Sequence, residues 1–204
     1  LNDEPAGFKN DVGDYVELMM EYNQLVNVIS RKTTPENLGQ LLNETALLYD
    51  YISPFSDLII DAGSGNGILG IPVAFKNKKT NVALIEPRQK KCGFLRKAKE
   101  DLNVENLDVF DVSIEEFLKT HKTAGKHKTL ISRGFPHIDA LLNFVRNRMV
   151  QEAVIITSEN KLKSNPNSNS RSNLNSNSNS NSKNNPNKLD SYIQKTYNLP
   201  LRDH

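Results

Sequence analysis

The sequence has little cysteine and no long apolar run. Its 204 residues include one cysteine, Cys92, which excludes an internal disulfide framework and is typical of proteins in a reducing compartment. No uninterrupted apolar run is long enough to cross a bilayer, and the first residues, LNDEPAGFKND, contain no apolar signal core. We therefore expect a cytoplasmic protein without a membrane partner.

Metal-ligand clusters and a strong charge imbalance are also missing. No group of His, Cys or acidic residues has the spacing of a metal site, so we expect no bound metal. The formal net charge of +2 does not by itself identify a partner. The length allows one core with room for a small appended layer, and we expect a monomer.

The pattern of the chain changes after its first quarter. Apolar residues recur at helical spacing from Phe8 to Ile29, and a second helical stretch, 34–52, starts with a Thr-Pro-Glu signal. The later segments DLIIDA, NVALIE, LDVF, TLIS and AVIIT are apolar on both faces, as buried parallel strands are. Helical candidates separate them, at residues 68–76, 88–102, 114–119 and 137–150. This alternation predicts an open, mostly parallel α/β sheet with right-handed crossovers.

We divide the chain into a helical N-terminal layer, residues 1–56, and a sheet domain, residues 57–204. Within the second, residues 164–188 are nearly all Asn and Ser, with Leu174 as the only large apolar residue. Such a segment gains too little from burial to offset its ordering entropy, which predicts a disordered low-complexity insert. Residues 192–197 beyond it have a strand-like pattern.

The stretch DAGSGNGILGIP follows the apolar segment DLII and places three glycines two residues apart. Gly65, Gly67 and Gly70 formally satisfy the G-x-G-x-x-G pattern of a dinucleotide site, but a lone match of this kind is weak. The match also starts late, because AGS rather than an apolar strand precedes Gly65. An NAD-dependent oxidoreductase therefore stays open as a hypothesis, ranked third behind the two that are introduced below.

A second interpretation starts at Asp61, where the strand ends. Glycines at alternate positions let the backbone pass close to a small ligand, and the carboxylate can order the turn or approach a cationic methionine-type group. The next strand ends in Glu86, whose carboxylate can accept both hydrogens of a ribose diol. These features predict a pocket for S-adenosylmethionine (SAM). Its residues are Asp61, Gly63, Ser64, Gly65, Gly67 and Glu86.

Several blocks together resemble the GidB/RsmG family of SAM-dependent methyltransferases. They are YNQLVNVIS, DAGSGNGILGIPVAF, IEPRQKKCGFLRKAKEDLNVENLDVF, SIEEF and ISRGF, in the family's order. The resemblance covers most of Tyr15 to Thr157 and implies a class I, Rossmann-like methyltransferase fold with helices on both faces of the sheet. It also implies methylation of the N7 atom of a guanine in 16S ribosomal RNA.

The resemblance assigns further residues to the site. Gly63 and Ile68 match positions that line the cofactor, and Ile114 and Glu115 match a pair beside the adenine. Arg133 matches an arginine at the cofactor and reaction centre. Ile68 is equally consistent with a core residue, and Glu115 with a charge that the helix macrodipole favours.

The implied chemistry agrees with what the sequence lacks. Guanine N7 is an acceptor with an in-plane lone pair, so its methylation needs alignment and desolvation more than a base. Accordingly, the fourth strand ends in SRGFPH and not in the Asn/Asp-Pro-Pro-aromatic loop of exocyclic-amine methyltransferases. We expect a positioning role for Arg133 and no general base, and a packing role for Cys92 within a helix.

An RNA partner would be held by phosphate contacts from cationic residues. The resemblance implies 16S ribosomal RNA or the small ribosomal subunit as that partner. Lys91 lies in the family's K-K-x-x-F-L block, Arg88 precedes it, and Arg31 follows the first helix. A run of charges on a helix is equally consistent with a solvated face, so both interpretations stay open.

The sequence departs from the family pattern at several polar or cationic positions. The residues found there are Gln40, Leu41, Ser113 and Ser158. Because lost cations weaken RNA binding, a relative that binds SAM or RNA without transferring a methyl group is the second hypothesis.

Overall fold

Two helices precede the sheet, and both end earlier than their apolar patterns predict. The computed structural model describes residues 6–30, 32–46, 48–121, 123, 125–158 and 192–198. The first elements are α1 (Ala6–Leu25), α2 (Pro35–Ala46) and a 3-10 turn (Tyr49–Tyr51). The Asn23 side-chain oxygen accepts hydrogen bonds from the backbone N–H groups of Val28 and Ile29. This side chain offers the backbone an alternative to helical pairing, so the chain leaves the helix before Val28.

Six strands form one sheet in the order β3-β2-β1-β4-β5-β6. The strands are β1 (Leu58–Ala62), β2 (Asn81–Ile85), β3 (Leu107–Phe110), β4 (Lys128–Arg133), β5 (Glu152–Ser158) and β6 (Tyr192–Asn198). Neighbours among the first five pair in parallel, whereas β6 runs antiparallel to β5. The predicted open, mostly parallel sheet is confirmed, and the strand-like pattern at 192–197 corresponds to β6. The predicted insert at 164–188 lies outside the described residues.

Four helices connect the parallel strands and cover both faces of the sheet. They are α3 (Gly70–Lys76), α4 (Gln89–Asp101), α5 (Ile114–Thr120) and α6 (Ile138–Arg146). Successive β1 residues alternate between the two cores: Ile59 packs with α3 and α4, and Ile60 packs with α5 and α6. Burial on both sides explains why β1 and β2 are almost entirely apolar.

The N-terminal helices share the first core with the sheet domain. Tyr15 and Met19 of α1 are fully buried in the same apolar cluster as Phe94 of α4. The Tyr15 and Phe94 rings lie 6.5 Å apart between centroids. The helical layer therefore braces α3 and α4, the two helices that follow the glycine turn and Glu86.

Candidate functional site

Several predicted site residues lie at the carboxyl ends of β1, β2 and β4. β1 lies in the middle of the sheet, with β2 on one side and β4 on the other. Because the chain winds outward in opposite directions from β1 and from β4, their carboxyl ends form the switch point at which open α/β sheets bind ligands. Asp61 is the penultimate residue of β1 and the glycine turn follows that strand, Glu86 follows β2, and Arg133 ends β4.

Alternate residues of the glycine turn adopt left-handed backbone conformations. The φ angles are +72° at Gly63, +64° at Gly65 and +81° at Gly67. For an L-residue with a side chain this region costs about 1–2 kcal/mol. Gly63 is exposed and Gly65 half-buried, so these two present backbone to a ligand. A Cβ on the buried Gly67 would lie 2.6 Å from Ile71 Cδ1, so that glycine serves packing.

Asp61 orders the turn from inside the protein. Its carboxylate is 2% exposed, and its Oδ2 atom accepts a hydrogen bond from the Gly70 N–H at 3.1 Å. A Cβ on Gly70 would lie 2.2 Å from Leu84 Cδ2 and 2.7 Å from Asp61 Oδ2. Only glycine therefore lets the start of α3 approach the carboxylate. Of the two roles considered for Asp61, these contacts favour ordering of the turn.

Burial strongly affects the ionisation of Asp61 and of its neighbour Tyr15. Desolvation raises the pKa of Asp61 to about 7, against hydrogen bonds from Ser64 and Gly70 that lower it, and the Glu86 charge raises it further. Burial, followed by the Asp61 charge, raises the pKa of Tyr15 well above its usual value. The neutral Tyr15 hydroxyl donates to the Asn66 carbonyl at 2.6 Å and so ties α1 to the turn.

The Glu86 carboxylate is held against the glycine turn. It is 3% exposed; Oε2 accepts from the Gly65 N–H at 2.9 Å, and Oε1 accepts from the Arg88 N–H at 3.0 Å. Each carboxylate oxygen has a second lone pair, which leaves acceptor capacity for a diol. The Cys92 thiol donates to the Glu86 carbonyl at 2.8 Å. Cys92 is fully buried in α4.

Lys91 reaches the turn itself. Its Nζ atom lies 3.6 Å from the position that a Cβ on Gly65 would occupy. The sequence grouped Lys91 with the RNA-binding residues, whereas its ammonium group lies beside the predicted cofactor pocket. Arg88 is exposed directly before α4, and Arg31 lies outside the described residues.

Three predicted side chains point into the protein. Ser64 is 5% exposed, and its hydroxyl donates to the Asp61 carbonyl at 2.9 Å. Ile68 is 7% exposed in the first core, and Ile114 is 3% exposed in the second. Glu115 is exposed in the first turn of α5. For Ser64 and Ile68 these contacts favour a structural role.

The tip of β4 brings Arg133 and an aromatic ring to the site. Arg133 is half-buried, pairs in register with Ile156, and has a fully buried Nε atom. The ring of Phe135 lies against Gly63, with Cδ2 3.1 Å from the position of a Cβ there. No sequence pattern assigned a role to Phe135, Tyr15 or Asn66. Tyr15 stands out only as an apolar helical position, and its partner is far along the chain.

Other kinds of site find no support in the described residues. In that part of the chain no three His, Cys, Asp or Glu side chains are grouped to hold a metal ion, and no helix is long and apolar enough to cross a membrane. A cleft of about 750 Å³ lies between the start of α1 and the α3–β2 connection. None of the predicted site residues lines that cleft.

Comparisons with known proteins find relatives that match most of the chain. The profile of the GidB family, described as rRNA small subunit methyltransferase G, matches residues 9–188. A ribosomal RNA small subunit methyltransferase G of Brachyspira hyodysenteriae is 29% identical over 159 residues, covering 76% of this chain and 72% of the relative. The protein of the same name from Methylobacillus flagellatus is 25% identical over 160 residues, covering 78% and 75%.

A solved structure shares the fold. The structure named "METTL16 MTase domain" superposes with a TM-score of 0.50 at 12% sequence identity. The superposed region covers 64% of this chain and 57% of the chain in the solved structure. The likeness concerns the sheet and its helices, and it agrees with the class I, Rossmann-like methyltransferase fold that the sequence predicts.

Proposed function

The chain belongs to the GidB family, rRNA small subunit methyltransferase G, and from this premise we propose that it transfers a methyl group from SAM to 16S ribosomal RNA. The observation that carries the proposal is the glycine turn at the switch point of the sheet, with Glu86 bonded to Gly65 and Lys91 beside it. Together with the family match, this arrangement favours SAM over NAD.

We propose the following roles around the cofactor. The Gly63 and Gly65 backbone lies against it, Glu86 accepts hydrogen bonds from the ribose diol, and the Lys91 ammonium offers a charge for its carboxylate. Ile114 and Glu115, at the start of α5, are assigned to the adenine side by the family resemblance alone. When bound, SAM supplies an electrophilic methyl group on a cationic sulfur.

The acceptor atom that suits this site is guanine N7. Its lone pair forms the bond to the methyl carbon as the carbon–sulfur bond breaks, with the bonding electrons left on sulfur. No proton moves, so no base is needed. Neither carboxylate at the turn is assigned as a base: Asp61 bonds Gly70 inside the protein, and Glu86 bonds two backbone N–H groups and is the proposed acceptor for the ribose diol. Arg133 at the tip of β4 positions the reactants.

The proposed function is tested with tritiated SAM and unmodified 16S ribosomal RNA transcribed in vitro. We expect transfer of label to one guanine, at N7, detected by strand scission after borohydride reduction and aniline treatment. A Gly65→Val variant should transfer no label, because a β-branched residue in the left-handed region is strained and its side chain enters the pocket. Label at another atom, or none in the wild-type protein, would contradict the proposal.

The charges on α4 divide the helix into two halves. Toward its C-terminal end, Arg96, Lys97 and Lys99 are paired with nearby aspartates, at N–O distances of 3.3, 2.6 and 2.8 Å. At its N-terminal end, Arg88 and Lys90 are exposed and form no ion pair with any described residue. We infer that RNA phosphates contact this end, beside the site, rather than the whole helix face.

Replacing both Arg88 and Lys90 with glutamine should therefore weaken binding of the RNA transcript. Loss of about two phosphate contacts should also reduce the slope of log affinity against log salt by about 1.5. The measurement is filter binding of labelled transcript with S-adenosylhomocysteine (SAH) present. The salt concentration is varied from about 50 to about 200 mM, the range over which affinity that depends on phosphate contacts falls steeply.

The matched control replaces Lys97 and Lys99 on the same helix. These lysines already pair with Asp101 and Asp108, so the double glutamine variant should leave the salt slope within error of the wild-type value. Equal slopes for both double variants would refute the division of α4.

The second hypothesis is that the protein binds SAM or RNA without transferring a methyl group. One reason for it is that Ser113 departs from the family pattern. Its hydroxyl accepts a hydrogen bond from the Glu116 N–H at 3.1 Å and caps α5, so this residue has a structural use here. Gln40 is exposed and Leu41 half-buried on α2, while the side chain of Ser158 lies outside what the structure describes. SAH binding by a wild-type protein that labels no RNA would favour this hypothesis.

A further inference from the structure

Phe135 lies where the loop after β4 meets the glycine turn. Gly134 has a φ of +69° and donates from its N–H to the Ile156 carbonyl at 3.0 Å, so the chain turns sharply as β4 ends. This turn places the next side chain against the glycine turn that follows β1. The Cδ2 and Cε2 atoms of Phe135 lie 3.1 and 3.4 Å from the position of a Cβ on Gly63.

The Phe135 ring is only partly buried in the protein core. Phe135 is half-buried and packs against the second apolar cluster. It makes no ring–ring contact with another described aromatic side chain, unlike Phe110 and Phe117, which pack together. An aromatic ring thus remains partly exposed at the switch point, next to an exposed glycine and two residues after Arg133.

We propose that Phe135 is the surface on which the target purine stacks during methyl transfer. This inference rests on the proposed function and adds a residue that contacts the acceptor base. In-line attack requires the N7 lone pair, which lies in the plane of the base, to point at the methyl carbon. A ring that stacks on the base fixes that plane, and base–aromatic stacking needs no hydrogen bond from the side chain.

A different role for the ring predicts opposite results. Because Phe135 contacts Gly63, it could instead fill part of the cofactor pocket and move when the cofactor binds. A smaller side chain would then tighten SAH binding, whereas removal of a stacking platform leaves SAH binding unchanged and weakens RNA binding. The two roles are therefore separated by the ligand whose affinity changes.

The first experiment compares Phe135→Leu with Phe135→Tyr. We expect the leucine variant to raise the KM for the 16S transcript about tenfold and to leave the SAH dissociation constant within about twofold. The tyrosine variant keeps an aromatic face and should restore the wild-type KM. Tighter SAH binding by the leucine variant, or equal KM values for leucine and wild type, would overturn the proposal.

A second experiment reports stacking without catalysis. The chain contains six tyrosines and no tryptophan, so Phe135→Trp introduces a single tryptophan, which can be excited selectively and whose emission is quenched when a purine stacks on it. We expect quenching when the transcript is added to the SAH complex. Full quenching by SAH alone, with no further change on adding RNA, would overturn the proposal.

The matched control is Phe55→Trp. Phe55 is 79% exposed and precedes β1, at the opposite end of the strands from the site. Its emission should not change with SAH or with the transcript. If wild-type protein methylates the transcript but Phe135→Trp is not quenched, only the stacking proposal fails. If the wild type methylates no RNA and no quenching occurs, both fail.

Discussion

Replacing Glu86 with glutamine is expected to weaken SAH binding at least about tenfold. The carboxylate bonds the N–H groups of Gly65 and Arg88 and is the proposed acceptor for the ribose diol. A glutamine has one oxygen and one N–H₂ group, so one backbone N–H and one ribose hydroxyl lose their acceptor. The lost backbone bond is internal to the protein and lowers stability, whereas the lost ribose bond to a charged group, at about 1.5 kcal/mol or more, corresponds to at least about tenfold in affinity.

The measurement is calorimetric titration of the purified protein with SAH, accompanied by thermal unfolding to establish that the variant is folded. Glu100→Gln is the matched control, because Glu100 is an exposed acid on α4, far from the turn; its SAH affinity should equal that of the wild type. A folded Glu86→Gln variant that binds SAH as tightly as the wild type would remove Glu86 from the site.

Replacing Asp61 with asparagine is expected to remove a large pH dependence of stability. Burial raises the pKa of Asp61 to about 7, from an ordinary value of 3.8. The folded state therefore keeps a proton that the unfolded state releases between about pH 4 and pH 7. The resulting stabilisation is fully present below pH 4 and is lost as pH rises through 7, by about 4 kcal/mol in total.

Urea unfolding from pH 4 to pH 8 measures this effect as the difference between the wild type and Asp61→Asn. The wild-type free energy of unfolding should fall relative to that of the variant as pH rises. Asparagine keeps a side-chain oxygen for the Gly70 N–H, so the variant should fold. The control Asp14→Asn changes an exposed residue of α1 and should run parallel to the wild type. If the difference in unfolding free energy between the wild type and Asp61→Asn did not change with pH, the raised pKa of Asp61 would be contradicted.

The helix ends show where prediction from sequence loses accuracy. The spacing of apolar residues predicts that a helix forms between Phe8 and Ile29, but it does not show that Asn23 captures the Val28 and Ile29 amides. Because such a cap depends on hydrogen bonds between particular atoms, the spacing of apolar residues does not predict it.

The sequence also did not predict the directions in which the side chains of the site point. Sequence placed Ser64, Ile68 and Lys91 by their position in a motif. In the structure the first two turn inward and Lys91 turns to Gly65. The Ser53 amide and the Thr129 hydroxyl, far apart in the chain, both bond the buried Glu152 carboxylate. No local pattern predicts these contacts, because their partners lie on different elements.

The sequence by itself determined the parallel sheet, the glycine turn and the family. Strands buried on both faces favour apolar residues, and left-handed positions favour glycine, so the local sequence contains both signals. The tertiary structure alone decided that Asp61 is buried and titrates near neutrality, that Lys91 faces the turn, and that Phe135 lies on Gly63. Desolvation and side-chain direction depend on every element packed around a residue, and only the folded chain brings those elements together.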